Sequence, residues 1–336
     1  MRPTGALHLG HYHGALENWV RLQATHECFY FVADWHALTT HYEDRQVIEK
    51  NVYEMVIDWL AAGIDPDRAT LFIQSRLPEH AELFTLLAMG TPVSWLERVP
   101  TYKDAMKTHR DQPTGRDLAT YGFLGYPLLQ AADILIYKAQ AVPVGEDQAP
   151  HVEITREVAR RFNHLYGRVG LGPDEPSRTI LPEPQTLLTE MSRLPGLDGA
   201  KMSKSEGNHI GMREAPAEVE RKVRRMQTDP DRVRRTDKGN PDRCPVWQFH
   251  RVYSDADTQA WVTRGCTTAG IGCLECKQPV IDAIIKEQAP LHERAQKDLD
   301  DPTLVRNIVA DGCERARKLA EETMRDVREA MGLSYD

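Results

Sequence analysis

The chain has 336 residues, 27% charged and 41% hydrophobic, with a formal net charge of -8. That length can bury a sizeable core and points to two domains. The composition excludes a low-complexity chain, and no apolar run is long enough to cross a bilayer. No basic segment followed by an apolar one opens the sequence, so cytoplasm is the expected address. Bulk acidity argues against a general nucleic-acid binder, although the placement of charge matters more than its sum.

In chain order, the first predicted elements belong to an α/β fold with a parallel sheet. Ala15 to Gln23 reads as a helix, and Phe29-Tyr30-Phe31-Val32-Ala33 as a buried strand. Ile48, Val52, Met55, Val56 and Trp59 then recur on one helical stripe, which Gly63 and Pro66 end. Leu71-Phe72-Ile73 supplies the next strand and completes a βαβ unit. Ala141-Val142-Pro143-Val144 is a further strand, and a helix follows it to about Phe162. After about Gly207 the pattern becomes helix after helix, including Pro216 to Met226, Pro279 to Glu287 and Arg306 to Met331. The expected division is therefore an α/β domain over residues 1–207 and an all-α domain over 208–336. No internal repeat is present.

Two segments carry nucleotide chemistry. Thr4-Gly5-Ala6-Leu7-His8-Leu9-Gly10-His11-Tyr12-His13-Gly14 packs glycines and imidazoles ahead of a helix. Glycine lets backbone approach phosphate closely, and imidazoles donate hydrogen bonds without lysine's permanent charge. Lys201-Met202-Ser203-Lys204-Ser205 follows a stretch rich in turn formers, and its lysines can neutralise a triphosphate. Either segment alone could be an ordinary turn or an exposed basic loop.

Together they resemble the HIGH and KMSKS elements of class I aminoacyl-tRNA synthetases, in the order and separation of the short tyrosine and tryptophan enzymes. Tyr126 to Leu135, Val142 to Gln148, Ala33 to Thr39 and Trp95 to Lys103 look like the tryptophan branch. The resemblance implies a Rossmann-like catalytic domain that activates tryptophan with ATP and Mg²⁺ and loads it onto tRNA(Trp). It assigns His8, His11, Lys201 and Lys204 to catalysis. Arg2, Pro3, Thr4, Gly10, Gly145, Glu146, Asp147, Gln148, Arg193, Leu194, Met202, Ser203 and Ser205 would join these residues around ATP. Asp133 would accept the indole N–H, with Tyr126, His36 and Gln148 as further tryptophan contacts. Indole offers one donor and no acceptor, so a fixed carboxylate tells it from other large rings. A capping or salt-bridged aspartate is the bland alternative. A tyrosine enzyme and a synthetase-like protein without catalysis are the alternative functions.

Cys244, Cys266, Cys273 and Cys276 concentrate four of the six cysteines in one segment, closing with a metal-type Cys-Leu-Glu-Cys spacing. Four thiolates suit zinc, while the likeness of Thr268 to Cys273 to one bacterial branch implies a [4Fe–4S] cluster. The basic run from Arg221 to Arg243 is either a solvated face or a tRNA phosphate contact. The resemblance also implies a homodimer, with Val93, Trp95, Leu96 and Val99 either at its interface or in the core. Its members usually carry a short strand before the Met-Arg-Pro-Thr-Gly segment, so a chain starting short of its native N-terminus is expected.

Overall fold

The computed structural model describes residues 1–111, 119–172, 174–188, 194–204 and 206–335. The chain opens with a single turn, α1 (Leu9–His11), a π-helical turn over Tyr12–Leu16, and α2 (Glu17–Leu22). The predicted helix from Ala15 is thus split, its first residues wound wider than the rest. Strand β1 (Cys28–Val32) runs into α3 (Asp34–His41) and α4 (Arg45–Ala62). Asp44 caps α4 by accepting from the Val47 N–H at 3.3 Å, and Gly63 ends it at φ 107°, a conformation glycine adopts without strain. Strand β2 (Ala69–Ile73) pairs in parallel with β1, Tyr30 opposite Leu71 and Val32 opposite Ile73. Every residue of β2 is buried, as a strand covered on both faces requires.

Helices α5 (Glu79–Gly90), α6 (Val93–Glu97), α7 (Pro100–Asp111) and α8 (Tyr121–Leu135) follow. Strand β3 (Ala141–Val144) leads into α9 (Ala149–Tyr166) and pairs in parallel with β4 (Gln185–Leu188). The half-exposed β4, with too few apolar residues to read as a strand, is absent from the sequence-based prediction.

The remainder is α10 (Pro216–Arg225), α11 (Pro245–Tyr253), α12 (Ala256–Thr267), α13 (Cys273–Asp300) and α14 (Pro302–Met331). The predicted helix at Pro279 is part of the longer α13, which carries both Pro279 and Pro290 within it. Helix α14 returns to the sheet: Val305, Val309, Cys313 and Ala316 share one core with Tyr30, Val32, Trp59 and Phe72. Gly312 makes that contact possible, because a Cβ there would lie 1.9 Å from the Leu71 carbonyl oxygen. A second core joins α5, α8, α9 and the end of α14. The third holds Leu9, Met202 and Ile210 together with Val223, Phe249 and Ile284 of the helical part. Among the described residues no helix is long and apolar enough to cross a membrane.

Candidate active site

The two glycine- and lysine-bearing loops meet. Leu9 N–H donates to the Ile210 carbonyl at 2.9 Å and Met212 N–H to the Leu7 carbonyl at 2.9 Å, so the first loop pairs with the strand-like exit of the second. Leu9 and Met202, the apolar members of the two motifs, are both buried in the third core. Burying each side chain contributes about 1.5–3 kcal/mol, enough to hold the loops in register. Asn208 closes the second loop by accepting from Ser203 N–H at 2.7 Å and donating to the Lys201 carbonyl at 3.1 Å. Asp58 of α4 ties both segments from below, accepting from Leu7 N–H at 3.1 Å and from Arg213 at 2.6 Å.

Their charged and titratable groups converge. The His8 and His11 rings stack with centroids 3.7 Å apart. Lys204 lies against Gly5, at φ 136°, where a Cβ would stand 2.9 Å from its ammonium. Burial first, then Lys204, His209 and Lys201, pushes His8 down to about 4, and burial, then His8, Lys204 and Lys201, pushes His11 down to about 3, so both rings are neutral at pH 7. His11 Nδ1 accepts the His8 backbone N–H at 3.3 Å, which puts its proton on Nε2 and leaves a donor to offer. Burial lowers Lys204 to about 8, against the opposing pull of Asp58. The imidazole of His209, 6.1 Å from that of His8 between centroids, joins this group; it went unassigned in the sequence because it follows the recognised motif.

Of the other residues expected at ATP, Pro3 and Leu194 are buried, Thr4 and Gly10 half-buried, and Arg2 and Lys201 exposed. Gly145 is buried at the end of β3, and Glu146 and Gln148 lie in the 3-10 turn that follows it. The side chain of Asp147 and the whole of Arg193 and Ser205 lie outside the described residues.

Asp133 stands at the far end of α8, two turns from Tyr126 and on the same helical face. It is 3% exposed and holds three donors: His36 Nε2 on Oδ2 at 2.7 Å, Gln74 Nε2 on Oδ1 at 2.7 Å, and His80 Nδ1 on Oδ1 at 2.7 Å. Burial alone would raise its pKa; His36 and His80 outweigh burial and hold the carboxyl well below the usual range. His36 follows β1, Gln74 follows β2 and His80 opens α5, so the carboxylate is gripped from just beyond the strand ends, where α/β sheets bind ligands. Tyr126 bonds His151 at 2.8 Å and also Thr101. It lines an apolar cavity of about 380 Å³ with Trp35, Leu38, Phe84, Tyr121 and Leu129; Asp133 does not line it.

The cysteine segment departs from its sequence-based expectation. Among the described residues no group of three or more His, Cys, Asp or Glu is set to hold a single metal ion. Cys244, Cys266, Cys273 and Cys276 nevertheless lie close enough to sense one another's charge; burial first, and that proximity second, push the Cys276 thiol up to about 12. A guanidinium nitrogen of Arg232 stands 3.9 Å from the Cys266 sulfur, positive charge beside a donor set that becomes anionic when it takes a metal or cluster. Four thiols with a cationic neighbour are the donor chemistry that an iron–sulfur group would need. Arg232 also corrects the reading of the basic run as one surface, since it is 8% exposed and bonds the Ile271 carbonyl. Arg221, Lys222, Arg224 and Arg243 are paired with carboxylates. In the segment weighed as an interface, Leu96 and Val99 are core and Val93 is exposed.

Parallel strands packed among helices, with these two loops brought together, are the architecture of a class I tRNA synthetase. The family model described as tRNA synthetases class I (W and Y) matches residues 1–287. The chain is 61% identical to the tryptophan–tRNA ligase of Ralstonia nicotianae, over 100% of this chain and 98% of that protein. It is 50% identical to that of Thermotoga maritima, again over 100% and 98%. The structure of tryptophanyl-tRNA synthetase from Campylobacter jejuni, complexed with ADP and tryptophan, aligns with a TM-score of 0.84 at 30% identity, covering 99% of this chain and 98% of that one. The chain belongs to the tryptophan–tRNA ligase family.

Proposed function

We propose that this chain activates L-tryptophan with ATP to tryptophanyl-adenylate and then transfers the tryptophanyl group to tRNA(Trp). The observation that carries the reading is the convergence of His8, His11 and Lys204, from two loops far apart in sequence, on one place. Tryptophan's carboxylate attacks the α-phosphate, pyrophosphate leaves with Mg²⁺, and the acyl group passes to the terminal ribose. No protein nucleophile is needed, so the site's work is positioning and charge stabilisation. In this reading the neutral imidazoles donate to phosphate oxygens while Lys201 and Lys204 offset the charge that builds on pyrophosphate. Arg2, Pro3, Thr4, Gly10, Gly145, Glu146, Asp147, Gln148, Leu194, Met202 and Ser203 line the nucleotide, and Arg193 and Ser205 are assigned to it as well. Asp133 accepts the indole N–H, and His36, Tyr126 and Gln148 complete the amino-acid pocket.

Amino-acid-dependent exchange of pyrophosphate into ATP tests this. Exchange supported by tryptophan, not by tyrosine, and aminoacylation of tRNA(Trp) are expected; exchange with tyrosine alone, or none, overturns it.

The same reading includes a cytoplasmic address, a homodimer, and a [4Fe–4S] cluster held by Cys244, Cys266, Cys273 and Cys276, with zinc the alternative. The cluster would brace the helical part rather than move electrons, because aminoacyl transfer is not a redox reaction. Stoichiometric iron with broad visible absorption after anaerobic purification is expected; a colourless protein with one zinc reverses the assignment.

A further inference from the structure

The carboxylate of Asp133 has more partners than packing needs and one fewer than it can accept. An ionised carboxylate offers about four lone-pair positions. Gln74 Nε2 and His80 Nδ1 fill both on Oδ1, and His36 Nε2 fills one on Oδ2. A single acceptor position on Oδ2 remains.

The partners are themselves fixed. His80 is 0% exposed, and its other nitrogen meets the Tyr137 hydroxyl at 2.7 Å. Nδ1 meets Asp133 and Nε2 meets Tyr137, so both ring nitrogens are committed and the ring is held in one orientation. Tyr137 stacks on Phe29 of β1 with centroids 4.9 Å apart, so the chain of contacts ends on a strand of the core. Gln74, also 0% exposed, must turn its amide nitrogen to the carboxylate, because its oxygen would be repelled there. That orientation leaves Gln74 Oε1 buried with no partner among the described residues. A purely structural residue would fill this space without stranding an acceptor, as methionine does.

We propose that Gln74 and His80 are specificity-determining positioning residues, which saturate Oδ1 of Asp133 and so leave one acceptor, on Oδ2, aimed at a side chain that offers one ring N–H. The inference rests on Asp133 being the indole acceptor and extends that reading to residues outside the pocket wall. Without either brace the carboxylate can rotate or accept a water, and the difference between a ring with an N–H and one without it shrinks. Tyr137 acts one step further away, by holding the second ring nitrogen of His80.

The test is pyrophosphate exchange with tryptophan and with 3-(benzothiophen-3-yl)alanine, in which sulfur replaces the indole N–H. The readout is the ratio of the two kcat/KM values. Misfolded protein lowers both equally and leaves the ratio intact. Gln74→Met and His80→Phe are each expected to cut the ratio about tenfold while the KM for ATP stays within about twofold. His80→Asn, whose amide nitrogen replaces Nδ1, is expected to restore most of it. Wild-type enzyme that favours tryptophan, with variants that keep its full ratio, overturns the inference alone. Wild-type enzyme that does not distinguish the two amino acids overturns the reading of Asp133 beneath it.

Discussion

The two ends of the site are built on opposite principles. At the end proposed for tryptophan, Asp133 is buried, ionised and gripped by three donors at 2.7 Å. At the end proposed for ATP, His8 Nδ1 and His209 Nδ1 are buried without partners among the described residues. Two lysines stand beside them, and burial pushes their neighbour rings down to neutrality. One end is finished before substrate arrives, which suits recognition of a ring with a single polar atom. The other carries unpaired donors and positive charge, a combination whose electrostatic cost an incoming polyanion removes. In the proposed reading one end selects and the other reacts: a preorganised acceptor discriminates, whereas positive charge is held in reserve for a charge that develops.

Separating the two ends by mutation breaks this comparison if it is wrong. Lys204→Ala is expected to slow adenylate formation by about 10² to 10³-fold while tryptophan affinity changes less than about threefold. Single-turnover kinetics beside equilibrium tryptophan binding measures both; equal losses in the two would mean that Lys204 serves the amino-acid end as well. Asp133→Asn places an amide N–H against at least one of three fixed donors. It is expected to lower kcat/KM for tryptophan about 10–100-fold and to leave the KM for ATP nearly unchanged. A matching rise in the KM for ATP would show the two ends to be one coupled unit.

Much of this was legible in the residues, and what was not has physical reasons. The stripe of Val52, Met55, Val56 and Trp59 gave α4 because burial on one face imposes a helical period, and Gly63 marked its end through its left-handed turn. The two phosphate-type loops were visible only as a pair, because each alone reads as an ordinary turn or basic loop and their order and separation together are specific. The braces on Asp133 were not visible. Gln74 and His80 meet that carboxylate across 59 and 53 residues of sequence, and no local pattern encodes a contact from a strand end or a helix start to a helix several elements later. A weak signal existed at Asp58, an acid in the apolar run Val56-Ile57-Asp58-Trp59; buried acids need partners, and its partners are Leu7 and Arg213 of the two loops. The return of α14 to the sheet was hidden because helical periodicity tells that a face is buried, not against what.

The lysine end can be sharpened by pH. Lys204 is charged below about 8 in the free protein, and in the proposed reading ATP binds to the charged form. The value of kcat/KM for ATP is therefore expected to hold up to about pH 8 and to fall by up to about tenfold per unit above it. Lys204→Arg, which keeps its charge, should move that break upward. A break unmoved by arginine assigns the titration to another group.

The smallest expected effect concerns what fixes the reactive end to the helical part. His13, in the π-helical turn beyond His11, bonds Glu17 at 3.0 Å, Tyr253 of α11 at 2.8 Å and Glu287 of α13 at 3.3 Å. Burial works against its charge, but the Glu17 and Glu287 carboxylates outweigh burial and raise it to about 9. An unfolded histidine titrates near 6.5, so the stabilisation is complete below about 6.5 and disappears as pH rises through about 9. Allowing for partial solvent screening at Glu17, the clasp contributes about 1–2 kcal/mol. His13→Gln is thus expected to lower Tm by about 2–6 °C at pH 6, and by little at pH 10. Because the clasp joins α11 and α13 to the turn that carries His11, its loss should also weaken the exchange rate slightly at pH 6, with the KM for tryptophan unchanged. A Tm difference that is the same at both pH values would mean that His13 acts by packing against Tyr12 and Tyr253, and that its charge does not join the two halves.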